Sequence, residues 1–194
     1  MTETPSSATN TGNGKVVVNR AMSLDGFIAG PGDTMDWGGG RPLAAFVAAD
    51  DFAGVAAATG AMLIGRRTWE VGARMEAEEP GTVDYPFSGP MFVLTHRQLD
   101  PPNPEVTILA GDIGDAVAKA LGAADGKDLE ILGADVGAQA LKRGLVDEML
   151  VYVLPVLLGD GIRIAPLGLG RIELEPISSK RSGDATMLRF RVRG

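Results

Sequence analysis

Leu129-Glu130-Ile131-Leu132-Gly133-Ala134-Asp135-Val136-Gly137-Ala138-Gln139-Ala140-Leu141-Lys142-Arg143-Gly144 is the stretch on which the fold turns. Leu129–Leu132 reads as a short buried strand, and Gly133-Ala134 as a turn into a helix capped by Asp135. Lys142 and Arg143 suit the negative end of the helix dipole, and Gly144 just beyond supplies the stop. A strand that runs straight into a helix is the building unit of a sheet covered by helices.

The same alternation continues in both directions. Downstream, Glu148–Leu157 reads as a long strand in which Pro155 marks an edge or a bulge. Arg171–Ile177 and Ala185–Arg193 follow, the latter alternating Leu188, Phe190 and Val192 with Arg189 and Arg191. Upstream, a helix starts after Asp112 with Ile113, Val117, Ala120 and Leu121 facing inward. Strands Met91–Thr95 and Glu105–Leu109 are separated by Pro101, Pro102 and Pro104. Ala61–Gly65 is a strand feeding a short helix, Arg66 to Arg74. Pro42 to Thr59 reads as one helix opened by proline, with Leu43, Phe46, Val47 and Gly54 on one face and Asp50 in the middle of it. Pro31, Gly32 and Gly38-Gly39-Gly40 mark a long loop, and Lys15–Ala21, with Val16-Val17-Val18, reads as a strand buried on both faces. The class is α/β, with one domain over 15–194 behind a flexible tail, 1–14.

Composition narrows the chemistry. The 194 residues carry a net charge of −7, with 45% hydrophobic and 22% charged residues. That field repels phosphates, so neither nucleic acid nor an anionic membrane is an expected partner, and any anion site must be local. With no cysteine and a single histidine, His96, thiolate chemistry and a histidine-rich metal site are excluded, and no metal is expected. No signal peptide or spanning segment is recognisable, so a soluble cytoplasmic protein is expected.

Three junctions concentrate glycine and positive charge: Gly65-Arg66-Arg67-Thr68, Thr95-His96-Arg97 and Gly133-Ala134-Asp135-Val136-Gly137. In open α/β sheets ligands bind at the carboxyl ends of strands, and helix-start amides with arginines suit phosphate. Three such junctions on one acidic chain point to a dinucleotide. Each has a plainer reading: Arg66 and Arg67, which open a helix against its dipole, as purely structural, His96 as a surface residue, Gly133 and Gly137 as packing glycines. Asp50 on its apolar face is the candidate acid, because burial without a partner is costly for a carboxylate; the plainer reading is that it pairs with a nearby arginine or that the helix is rotated so that it meets solvent.

The series Ala21-Met22-Ser23-Leu24-Asp25-Gly26-Phe27-Ile28, Met62-Leu63-Ile64-Gly65-Arg66-Arg67-Thr68-Trp69-Glu70, Phe92-Val93-Leu94-Thr95-His96-Arg97 and Ile131-Leu132-Gly133-Ala134 resembles the dihydrofolate-reductase-like superfamily. Within it the likeness is to the reductase domain at the C-terminus of bacterial riboflavin-biosynthesis deaminase/reductases. Gly144-Leu145-Val146-Asp147-Glu148 and Pro155-Val156-Leu157-Leu158-Gly159-Asp160-Gly161 are similar to that family's signature. The resemblance implies a three-layer α/β/α fold whose mixed, mostly parallel sheet has about eight strands. It implies an NADPH-dependent reductase of a small organic substrate, acting as a homodimer in which the apolar strand Met149–Leu158 and the sheet edges supply the interface. Arg66 and Thr68, with Gly65 and Arg67, would hold cofactor phosphates. Thr95, His96 and Arg97 would flank the 2′-phosphate, and Gly133, Ala134, Asp135, Val136 and Gly137 would lie against the pyrophosphate. Ala21 and Ile28 would line the nicotinamide pocket, with the loop from Asp25 to Trp37 as a lid. Asn19, Met22, Trp37 and Asp50 fall on the substrate side.

Departures from the family pattern bear on the substrate. Leu132-Gly133 stands where paired glycines are usual. Trp69-Glu70-Val71-Gly72-Ala73-Arg74 replaces the substrate-contacting Asp-Asn-Pro segment, which argues against ribosylaminopyrimidine phosphate. Leu43, Ala44 and Ala45 stand where a helix carboxylate is expected, which argues against folate. Asp25 reads as a turn-former, and Asp147 and Glu148 as structural. A non-catalytic dinucleotide-binding protein, and a reductase using flavin or deazaflavin, are the other readings.

Overall fold

The triplet Val16-Val17-Val18 opens β1 (Val16–Ser23), which lies inside the main sheet and is buried on both faces as its composition demands. The computed structural model describes residues 14–35, 37, 41–81, 85–99, 103–166 and 168–193. The tail over 1–13, the Gly38–Gly40 triplet and Pro101-Pro102 lie outside these residues.

After β1 come β2 (Phe27–Ala29), α1 (Ala49–Ala58), β3 (Thr59–Gly65), α2 (Arg66–Glu78), β4 (Met91–Leu94) and β5 (Val106–Leu109). Then follow α3 (Ile113–Gly122), β6 (Asp128–Leu132), α4 (Ala134–Lys142), β7 (Glu148–Leu154), β8 (Ile162–Arg163), β9 (Glu173–Ser182) and β10 (Ala185–Arg193). Eight strands form one sheet in the order β5–β4–β3–β6–β1–β7–β10–β9, while β2 and β8 pair separately. From β5 to β7 every neighbour is parallel; β10 and β9 return antiparallel. The expected mixed, mostly parallel sheet is present.

Alternating side chains divide the core. Val16, Val18, Leu63, Leu129 and Ile131 meet Ile113, Val117 and Ala120 of α3 and Val136 and Ala140 of α4. On the opposite face Val17, Leu150, Tyr152 and Leu154 meet Trp37, Phe46 and Val47, with Phe52 and Val55 of α1 packed against them. Further along that face Met62, Ile64 and Val93 pack with Trp69 of α2, Tyr85 and Phe87. The three layers are thus α1 and α2, the sheet, and α3 and α4.

Several boundaries differ from expectation for identifiable reasons. The predicted helix 42–59 is split into a short 3₁₀ turn, Leu43–Ala45, and α1 from Ala49. The break is imposed from a distance by the β9–β10 hairpin. The Asp184 and Ala185 amides donate to the Phe46 carbonyl, and the Ala48 amide donates to the Ser182 hydroxyl. Gly133, not Asp135, occupies the cap position of α4, and the Asp135 carboxylate instead accepts from the Gln139 side chain at 2.7 Å. Strand β7 ends at Leu154, so Pro155 follows the strand and marks neither edge nor bulge. Because β7 is sandwiched between β1 and β10, the edges offered by the sheet are β5, where Ile108 is exposed, and β9, where Leu174 and Ile177 are exposed. The proposed lid is laced down: β2 pairs with β8, and Asp25 accepts from the Gly159 amide at 2.7 Å and the Leu158 amide at 3.1 Å. Asp147 and Glu148 are structural, as expected: Asp147 accepts from the Val16 amide at 2.7 Å, and Glu148 pairs with Lys15 at 2.6 Å and Arg189 at 2.5 Å.

Leu63 is fully buried at the junction of β3 with α3. Leu63→Ala is expected to lower unfolding free energy by about 2–5 kcal/mol, read by urea denaturation.

Candidate cofactor and substrate site

Parallel register levels the strand ends. Leu94 lies opposite Gly65, and Ile64 lies opposite Leu132, so the junctions that follow β4, β3 and β6 stand side by side on the carboxyl edge. Two of them touch. A Cβ on Gly133 would lie 2.8 Å from Thr68 Oγ1 and 3.3 Å from the Gly65 nitrogen. Gly133 itself has φ +106°, a conformation that side chains rarely tolerate. Neither α2 nor α4 has a side-chain cap, whereas α3 is capped by Asp112, which accepts from the Gly114 amide at 2.7 Å. Two uncapped helix starts at one edge make a concentration of amide donors and positive dipole.

The cationic side chains around this edge are held by carboxylates. Arg66 reaches both Glu70 oxygens at 2.5 and 2.6 Å, and Arg67 reaches Asp33 at 2.5 Å. The Thr95 hydroxyl accepts from the Arg97 amide at 3.0 Å, which folds Thr95-His96-Arg97 into a tight turn with His96 and Arg97 exposed. Ala21 and Ile28 are half-buried, on β1 and β2.

Arg20 anchors the edge from beneath. It is buried on β1 and donates to the carbonyls of Asn19, Ile131 and Gly133. Gly137 leaves room for it, since a Cβ there would lie 2.6 Å from Arg20 Nη2. Desolvation pulls the guanidinium down to about 10, so it stays charged at neutral pH.

A cavity of about 230 Å³ lies between α1 and the sheet, lined by Asn19, Asp50, Asp51, Thr59, Glu130, Lys180 and Arg189 among others. Glu130, 2% exposed, is hydrogen-bonded by the Asn19 amide, by Tyr85 Oη at 2.8 Å and by Thr59 Oγ1 at 3.1 Å. Burial pushes its carboxyl above the ordinary glutamate range despite those donors. Nearby, the buried Tyr152 hydroxyl has no hydrogen-bond partner among the described residues. Asp51 pairs with Lys180, and that bond with Ser182 holds its carboxyl below the usual range.

Placement of the substrate-side candidates is mixed. Asn19 and Asp50 line the cavity, but Asp50 is exposed in the first turn of α1, not on a buried apolar face. The late start of α1 rotates it outward. The same shift puts Asp50 and Asp51, not Leu43-Ala44-Ala45, in the first turn of the α-helix. Trp37 is 2% exposed within the core, and Met22 is half-buried. Sequence reading missed Arg20, Glu130, Thr59, Tyr85 and Tyr152. The available signal was a charge inside an apolar strand, Glu130 in Leu129–Leu132 and Arg20 after the valine run.

A family model described as the RibD C-terminal domain matches residues 14–188. A solved protein assigned to riboflavin biosynthesis, from Shewanella sp. PV-4, is 26% identical with TM-score 0.74, over 93% of this chain and 99% of that one. The Thermotoga maritima diaminohydroxyphosphoribosylaminopyrimidine deaminase/5-amino-6-(5-phosphoribosylamino)uracil reductase is 13% identical with TM-score 0.62, over 93% of this chain and 57% of that one. Dihydrofolate reductase from Enterococcus faecalis, solved with NADP(H), is 14% identical with TM-score 0.57, over 94% and 98% of the two chains. The last two likenesses are of fold. No curated protein matches the chain by sequence.

Two expectations follow. Gly133→Ala forces a side chain into a positive-φ site against Thr68 and should cost about 1–3 kcal/mol in calorimetry or denaturation. The Ser23 hydroxyl, chiefly, depresses Asp25 to about 2. Its contribution is therefore complete above the ordinary aspartate range and lost as pH falls toward that value. The melting-temperature gap between wild type and Asp25→Asn should be constant above about pH 4 and close as pH approaches 2.

Proposed function

This chain belongs to the RibD C-terminal domain family, and on that premise we propose that it is an oxidoreductase that uses NADPH to reduce a small organic molecule. The observation that carries this is the contact between the uncapped starts of α2 and α4 at Gly65 and Gly133. The residues suit a dinucleotide. Amides of Ala134, Asp135 and Val136 would face one anionic group, with Thr68 beside them, while the Gly137 amide is held by the Gly133 carbonyl at 3.0 Å. Arg66, Arg67 and Arg97 are cations that can exchange their carboxylate or water partners for phosphate. Thr95, His96 and Arg97 would flank a 2′-phosphate, which is the reason for preferring NADPH to NADH. When bound, the dinucleotide supplies a hydride. Ala21 and Ile28 would orient its ring toward the substrate.

The cavity under α1, with Asn19 and Asp50 in its wall, is the proposed substrate site. Its cations are committed: Lys180 to Asp51, and Arg189 to Glu148. Asp50, Asp51, Asp128 and Glu130 outnumber Lys180 and Arg189 in its wall, which favours an uncharged or cationic molecule over a phosphorylated one. Two copies joined through the exposed β9 edge is the proposed assembly.

Fluorescence titration with NADPH should give saturable binding at sub-millimolar cofactor. Arg97→Ala should weaken NADPH by about ten- to a hundredfold and leave NADH nearly unchanged. Absence of binding by wild type removes the proposal. Binding without turnover of any carbonyl, imine or activated alkene reduces it to a dinucleotide-binding protein.

A further inference from the structure

We propose that Glu130 is a neutral carboxylic acid in the folded protein at neutral pH, and that it is the proton source of the cavity beneath α1. The second half of this rests on the reductase reading above.

Counting hydrogens decides the first half. The Thr59 hydroxyl lies 2.9 Å from the Val55 carbonyl and 3.1 Å from Glu130 Oε2, but it carries one hydrogen. The carbonyl can only accept, so the shorter contact takes that hydrogen. With that hydrogen on Val55, the Thr59 oxygen is an acceptor facing Glu130, and a carboxyl O–H fills the contact where a carboxylate would set two acceptors against each other. The other partners agree: Asn19 Nδ2 donates to Oε1, and Tyr85 Oη donates to Oε2 at 2.8 Å. A protonated Oε2 accepts from Tyr85 while it donates to Thr59, and every group is satisfied.

Charge leads to the same answer. No ion pair reaches Glu130 among the described residues. Lys180 pairs with Asp51 from the α1 side, and Arg189 pairs with Glu148 and, at 3.8 Å, Asp128. Arg20 lies across the sheet with its hydrogens on three carbonyls. Asp50, Asp51 and Asp128 share the cavity and add only negative potential, and Tyr85 and Tyr152 are neutral phenols. A buried carboxylate without an ion-pairing cation costs more than the acid, and the Arg20 charge across the sheet opposes the effect of burial without outweighing it.

In the reduction, the carbon of a substrate C=N or C=O bond accepts a hydride from the reduced nicotinamide dinucleotide. The nitrogen or oxygen takes the Glu130 proton as the carboxyl O–H breaks. The dinucleotide leaves oxidised, and the carboxylate is reprotonated from water. Substrates with a lone pair on the reduced bond fit this acid; an isolated alkene does not.

Carbon-13 NMR of protein labelled at glutamate Cδ tests the protonation without any ligand. One signal should stay at the protonated position at neutral pH and move only at higher pH. Glu130→Gln should remove it. If all glutamate signals are carboxylates at neutral pH, the proposal is overturned, and the wild-type titration decides alone if the variant does not fold. For proton delivery, NADPH oxidation is followed with a panel of imines and carbonyl compounds. Glu130→Gln should keep NADPH affinity and lose about a hundredfold or more in turnover. Equal turnover removes the delivery step only. A wild type that binds no NADPH removes the reductase reading and delivery together, while the glutamate signal still reports the protonation.

Discussion

Asn19 and Arg20 are consecutive polar residues in the middle of a strand covered on both sides, and strand geometry sends them to opposite faces. Each must be satisfied where it lands, because an unpaired polar group in such a place costs a few kcal/mol. On one face Asn19 finds Glu130 and helps floor the cavity beneath α1. On the other, Arg20 gathers three carbonyls, one of them from Gly133, and braces the turn that opens α4. One dipeptide therefore ties the region assigned to the small molecule to the region assigned to the nucleotide.

The two regions differ in electrostatic character, although the protein as a whole is acidic. At the carboxyl edge, positive potential comes from backbone amides, a buried guanidinium and arginines that carry replaceable carboxylate partners. An anion arriving there competes with Glu70 and Asp33 for exposed ion pairs, which are weakly held. Beneath α1 the balance is reversed, with acidic side chains around a buried glutamate and the basic ones paired off. A single net charge describes neither place.

Much of the architecture was legible because it rests on local chemistry. The valine run of β1, the Gly133 turn and the Asp112 and Gly144 punctuation of α3 and α4 each state their structure within a few residues. The carboxyl-edge glycines and arginines were legible for the same reason. What escaped depended on distant partners. Nothing near Pro42 announces that the Phe46 carbonyl will be claimed by Asp184 and Ala185, so α1 was started too early and Asp50 was assigned to the wrong face. Thr59, Tyr85 and Tyr152 belong to three separate segments, and only the folded sheet brings the first two to Glu130.

The clasp between the β9–β10 hairpin and the entry to α1 has a kinetic side. Ala48 and Ser182 are 134 positions apart along the chain, whereas the Gly133 turn is made by a strand and the helix that immediately follows it. Gly183, with φ +62°, presses so closely on this clasp that a Cβ would sit 2.6 Å from the Phe46 oxygen. Closing so long a loop is slow and entropically expensive, so α1 settles late in folding and loosens early under stress.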